Sequence, residues 1–165
     1  GAAILWVFAA PGAALVLVAA LGLMGQWGRR FGFRPMLADG VSASLLAALL
    51  GLSMCVLAGV VHGAGLSSPS PDLLAWGAGF LLPLVTGALS QLLPVWRWPG
   101  IVTPERQLMR RHLAQAGGWR SGCWLVSSAA WLGGFRGVAA IFLFVGLLMF
   151  LFSLLQAMRV SRSTR

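Results

Sequence analysis

The sequence contains no lysine, and its 165 residues carry only three carboxylates (Asp39, Asp72 and Glu105), two cysteines and two histidines. Each shortage narrows what the chain can do. The carboxylates all fall in loops or at helix starts, so no acid stands inside an apolar run, where membrane proton relays carry theirs; proton-coupled transport is therefore disfavoured. Cys55 and Cys123 each lie within an apolar run, so buried thiols are expected and a structural disulfide is not. There is no phosphate-binding glycine loop, no zinc spacing and no nucleophile beside a base, and enzymatic activity is not expected. The twelve basic residues are all arginine, among abundant Ala, Gly and Leu. That usage looks like the codon bias of a GC-rich genome and suggests a bacterial cytoplasmic membrane.

What is present is apolar. Hydrophobic residues make up 59% of the chain and charged residues 9%, with a mean hydropathy of +0.88. A soluble domain of this length could not enclose that much apolar surface. The formal charge of +9 sits between the apolar runs rather than on one patterned face, so the arginines read as topology signals and contacts to anionic phospholipids. A nucleic-acid partner is not expected. The chain opens at Gly1, already inside an apolar run that is too long for a signal peptide and lacks its charged flank. Either a processed N-terminus or a portion of a longer protein accounts for that start.

A hydrocarbon core about 30 Å thick needs about 20 helical residues at 1.5 Å each. Residues 4–24, 41–61 and 73–95 meet that length, with kinks expected at Pro11 and Pro83. A polar interruption covers 101–122. A second apolar stretch, 123–158, is broken only by Gly133, Gly134, Arg136 and Gly137. It is either one span preceded by a re-entrant piece or a tight helical hairpin. Arginine placement favours the hairpin. With two crossings, Arg29, Arg30, Arg34, Arg97, Arg106, Arg110, Arg111, Arg120, Arg159, Arg162 and Arg165 share one side and Arg136 alone takes the other, which the positive-inside rule makes cytoplasmic and external respectively. The expected fold is an all-α, polytopic transmembrane bundle of five helices in one domain, the last two spans at 119–134 and 138–158. Trp27, Trp96, Trp98 and Trp119 fall at the proposed inner boundary and Trp76 near the outer one; Trp124 and Trp131 have no clear place in that belt.

Within the interruption, Thr103, Pro104 and Glu105 read as an N-cap, a proline at the first helical position and an acid in the first turn, and Gly117 and Gly118 read as stops. The expected element is an interfacial amphipathic helix over 104–116. It puts Leu108, Met109, His112 and Leu113 on one side, and its Arg106, Arg110 and Arg111 are candidate ligands for anionic phospholipid; an ordinary topogenic loop is the plainer alternative.

The helix faces carry the remaining information. Ser44, Ala48, Gly51, Cys55, Ala58 and His62 recur at spacings of four and three, forming a small-residue seam that lets another helix approach closely. Gly79, Pro83, Gly87, Ser90 and Gln91 make a comparable face, so the bundle is expected to be built from spans two, three and four. Phe142, Phe144, Phe150 and Phe152 give the fifth helix a bulky surface suited to lipid or a partner subunit. Cys55 and His62 are both metal-capable, which raises a copper site or a haem with His62 as axial ligand. Seven residues separate them, about 10.5 Å of helix, too far for a single ion at bonds of about 2 Å.

One run carries a resemblance. From Asp72 to Val95, with Gly79, Phe80, Gly87, Leu92, Leu93 and Pro94 as the matching positions, the chain resembles a helix of bacterial membrane domains that are distantly similar to the catalytic subunit of haem-copper oxidases. The histidines such domains tend to carry near the start of that helix correspond here to Asp72 and Leu74. The resemblance covers one helix. It implies a relative that has lost its metal ligands, or one whose ligands come from another part. Two functions follow as expectations. The first is a non-catalytic membrane subunit, or membrane domain, of a larger bacterial complex such as a respiratory or copper-linked redox assembly, with other membrane subunits as partners. The second is a small-molecule or metal-ion transporter or channel. The few uncharged intramembrane polar residues, Ser44, Thr86, Ser90, Gln91, Ser127 and Ser128, favour helix packing over a translocation path.

Overall fold

A computed structural model describes the backbone over residues 2–66, 73–100 and 102–163 and the side chains over 9–66, 73–100 and 102–159. Asp72, Arg165 and the side chain of Arg162 lie outside the described residues. The elements are all helical: α1 (Ala2–Phe31), α2 (Phe33–Ala38), α3 (Gly40–Gly63), α4 (Leu73–Arg97), α5 (Pro104–Ala114), α6 (Gly117–Leu132) and α7 (Arg136–Ser163). Among the described residues, four stretches are long and apolar enough to cross a membrane: Ala9–Phe31, Gly40–Gly63, Leu73–Arg97 and Arg136–Arg159. α1 continues to Phe31, past the end of its apolar run. The Arg29 Nε donates to the Gly25 carbonyl at 3.3 Å, and cations in a last turn complement the helix dipole.

The helices alternate in direction. Ala9, Ala10 and Ala13 of α1 border the same cleft as Cys55, Val56, Gly59 and Val60 of α3, while Trp27 and Phe31 lie by Ser42 and Leu45, so α1 and α3 are antiparallel. α3 and α4 are antiparallel too, with Ser44 against Gly87 and Gly51 against Gly79. α6 runs parallel to α3, with Gly117 at Gly40 and Ser121 at Ser44. α7 returns antiparallel to α6: Ser127 meets Ala139, Trp124 meets Gly146 and Arg120 meets Phe150. Arg29, Arg30, Arg34, Arg97, Arg106, Arg110, Arg111 and Arg159 thus gather at one end of the bundle, and Arg136 stands at the other.

Backbone contact holds the centre together. A Cβ on Gly51 would strike the Gly79 carbonyl, one on Gly40 the Ala114 carbonyl, and one on Gly117 the backbone of Gly40. The expected seam of α3 is buried from Ser44 through Ala48, Gly51 and Cys55, and it opens at Ala58 and His62, which are half-buried. α6 ends at that level. The helix α4 carries a π-helical turn over Gly77–Leu81, in which the Leu82 N–H bonds the Gly77 carbonyl. Pro83 explains it: the proline ring cannot sit against the carbonyl four residues back, that of Gly79, without displacing the backbone. The fifth helix joins the bundle expected from spans two, three and four. It docks by a small-residue stripe of its own, Ala139, Gly146, Ser153 and Ala157, all buried, with Gly146 against the Trp124 ring. The spacing of seven, seven and four is that of a packed helix seam. Phe144 and Phe152 face outward, at 62% and 63% exposure.

Two expectations between α4 and α7 are corrected. The amphipathic helix stops at Ala114 rather than at 116, and Gly117 and Gly118 begin α6 rather than end α5. The reversal falls on Ala116, which takes the left-handed conformation at φ 57°. The glycines are needed where they are because Gly117 packs onto Gly40, and a Cβ on Gly118 would lie 3.3 Å from the Leu37 carbonyl. The N-cap reading stands, with the Arg106 N–H donating to Thr103 Oγ1 at 3.3 Å. Met109 and Leu113 of α5 pack with Ala157, Leu154, Leu93 and Trp98, so α5 fills the arginine-rich end between the last turns of α4 and α7. α6 has 16 residues, about 24 Å of helix, short of the about 30 Å core.

Two substitutions test this packing by thermal unfolding in mild detergent. Gly51→Val should cost about 1–3 kcal/mol by forcing α3 from α4. Ala116→Gly should stabilise by about 0.5–1 kcal/mol, since glycine adopts the left-handed conformation without the Cβ penalty.

Candidate functional site at the break between α5 and α6

Sequence reasoning counts Arg120 with the cytoplasmic-side arginines, at the start of the 119–134 span; the structure buries it. It sits in the first turn of α6 at 1% exposure. Measured against α7, Arg120 lies beside Phe150, nine residues or about 13.5 Å of helix from Arg159. It is an interior cation of the bundle.

Burial of an uncompensated charge costs several kcal/mol, and the surroundings offset part of it. The guanidinium carbon lies 5.7 Å from the Trp124 ring centroid and 5.2 Å from that of Phe150. Cation–π contacts of this length are worth up to about 2 kcal/mol when shielded from water. Nη1 donates to the Leu113 carbonyl at 3.4 Å. That carbonyl belongs to the last turn of α5, so the cation also caps the negative end of a helix dipole. The Ser90 hydroxyl donates to the same oxygen at 3.4 Å and to the Thr86 carbonyl at 2.7 Å. Nε and Nη2 have no protein partner, and no carboxylate pairs with Arg120 among the described residues. Asp39 instead caps α3 through the Ser42 N–H, and Glu105 lies in the first turn of α5.

Three other buried hydroxyls, all on α6, join helices. Ser121 donates to Ser44 at 3.0 Å, and Ser44 donates to the Gly40 carbonyl at 2.8 Å. Ser128 donates to the Ala75 carbonyl at 2.9 Å, just before the π turn, and its oxygen lies 3.8 Å from Cys55 Sγ. Ser127 donates to the Ala139 carbonyl of α7 at 2.7 Å. Each of these bonds joins side chain or backbone groups that lipid could not satisfy.

The expected site residues do not converge. Cys55 is buried against Ser128, and His62 lies in the last turn of α3, seven residues on. Among the described residues no three His, Cys, Asp or Glu side chains come together as a metal site. Arg106 donates to the Gly100 carbonyl at 3.1 Å and so closes its own loop, whereas Arg110 and Arg111 are exposed. Trp124, without a place in the aromatic belt, is fully buried as the platform for Arg120 and the surface onto which Gly146 packs; Trp119 is 80% exposed. A signal for this site is present in the sequence: Arg120 and Trp124 are four residues apart, on one face of any helix through 117–132. Comparison of the chain with known protein families, curated proteins and solved structures finds no match.

If the two rings hold the guanidinium, the pair is energetically coupled. A double-mutant cycle between Arg120→Met and Phe150→Leu, read by unfolding in detergent, should give a coupling of about 1 kcal/mol. Additive effects would mean that proximity to Phe150 contributes nothing.

Proposed function

We propose that this chain is a non-catalytic integral membrane subunit, or membrane domain, of a larger bacterial membrane complex. In this reading it crosses the cytoplasmic membrane five times, the short α6 being the fourth crossing and α5 lying at the cytoplasmic interface. The arginine-rich end and the C-terminus are cytoplasmic and the Arg136 turn is external. One observation carries the functional part: the α6 hydroxyls of Ser121, Ser127 and Ser128 bond to Ser44, to the Ala139 carbonyl and to the Ala75 carbonyl across helix contacts, which is the work of a packed scaffold and leaves them unavailable as the lining of a path. The likeness of the 72–95 run to a haem-copper oxidase-like helix points to a respiratory or copper-linked redox assembly as the host, whose haem or copper is then held by its other parts.

A second reading, a small-molecule transporter, draws support from Arg120. An interior ionisable residue beside a break in a helix is a common element of transport sites. A fixed guanidinium repels cations, so that reading favours an anion over a metal ion.

Photo-crosslinkers introduced at Phe144 and Phe152, the outward positions of α7, distinguish the two in intact cells. A discrete adduct with one membrane protein at these positions, absent when the crosslinker is placed at Leu15 or Val18 of α1, is expected of a subunit. Absence of adducts at both faces, together with anion flux into liposomes that Arg120→Gln abolishes, would establish the transporter. A reporter fused after Arg165 that is active only outside the cell would overturn the five-crossing topology.

A further inference from the structure

A groove of about 710 Å³ lies beside the α5–α6 break. Its length is set by one stripe of α6, Gly118, Trp119, Gly122, Cys123 and Val126, and Phe142 of α7 closes the far end. From Gly118 to Val126 the stripe runs about 12 Å. At the arginine-rich end the mouth is formed by Leu37 and Ala38 of α2 and Ala114 of α5.

Both mouth helices carry arginine on the same face as their lining residues. Arg34 precedes Leu37 and Ala38 by three and four positions, and Arg111 and Arg110 precede Ala114 by three and four, the spacings that stack side chains on one helix face. All three arginines are exposed. The groove therefore joins a narrow apolar channel, running along a helix within the bundle's apolar zone, to a cationic mouth built from two separate elements. That arrangement matches one kind of molecule: a long apolar chain with an anionic head.

We propose that this groove holds an anionic glycerophospholipid, one acyl chain lying along Gly118, Gly122 and Val126, and its phosphate facing Arg34, Arg110 and Arg111. The site is distinct from the phospholipid contact expected of α5 alone. Arg106 is occupied by Gly100, and Arg34, from another helix, takes its place. Gly122 is the position that keeps the groove open, since a Cβ there would meet nothing within 4 Å. A side chain at 122 can therefore fill the groove without disturbing the core.

The test is native mass spectrometry of the full chain released from nanodiscs of equal phosphatidylglycerol and phosphatidylcholine. The wild type should retain one phosphatidylglycerol in preference to phosphatidylcholine by about tenfold or more, three arginines each contributing near the surface. Gly122→Phe should lose the retained lipid of either kind, and Val126→Trp should do the same as an independent blockage, both with unfolding temperatures like the wild type. Arg34→Gln with Arg110→Gln and Arg111→Gln should erase the preference for phosphatidylglycerol while leaving some lipid bound. Undiminished phosphatidylglycerol retention in both blocked variants would overturn the proposal. So would a protein adduct at Gly122→Cys or Val126→Cys on bifunctional crosslinking in native membranes, because the groove would then be filled by a partner's helix.

Discussion

Backbone approach at a few glycines sets everything else in this bundle. Lipid tails are as apolar as leucine side chains, so helices gain little by hiding hydrophobic surface from a bilayer; close van der Waals contact and interhelical hydrogen bonds must hold them. Gly51 on Gly79 brings α3 and α4 together, and Gly40 seated between Ala114 and Gly117 fixes α3 at the break between α5 and α6. Only with the backbones this close can Ser121 reach Ser44 and Ser128 reach the Ala75 carbonyl. The π turn in α4 belongs to the same contact, since it places Gly79 against Gly51 while accommodating Pro83.

The same geometry explains how an arginine comes to be buried. α5 and α6 do not form one continuous helix, and the reversal at Ala116 leaves the carboxyl end of α5 pointing at the first turn of α6. Arg120 binds that end and is flanked by two aromatic rings, one from its own helix and one from α7. The guanidinium thus replaces the covalent continuity that the backbone lacks at this point, joining α5, α6 and α7 through a single side chain.

The apolar runs and the small-residue faces of α3 and α4 were legible because their signals are local: length, hydropathy and a repeat of three and four. The end of the bundle at which the arginines gather followed from counting charges between runs. Three features were not legible, each for a physical reason. The burial of Arg120 is hidden because one arginine in the first turn of a short span has the same appearance whether it reaches the interface or is enclosed by neighbouring helices. Gly117 and Gly118 are ambiguous in sequence because glycine both ends helices and permits contact, and the partner that decides between these roles, Gly40, is distant in sequence. The seam of α7 was hidden by its neighbours, as four phenylalanines drew attention to the outward face while Ala139, Gly146, Ser153 and Ala157 carry the docking. Cys55 and His62 share a helix face as read, but the shorter α6 covers only the first of them.

The brevity of α6 has a bearing on how such a chain enters a membrane. Sixteen residues span about 24 Å, less than the about 30 Å core, and carry an arginine in the first turn, so the helix makes a poor independent insert. α7 is long, strongly apolar and joined to α6 by a short turn through Gly133 and Gly134, with the Phe135 N–H bonded back to the Ala130 carbonyl at 2.8 Å. In the bundle the two form a hairpin in which Phe150 of α7 lies against the Arg120 guanidinium of its shorter partner. Ser90 and the carboxyl end of α5 complete its surroundings, so a charge carried by the short α6 is enclosed by its neighbours.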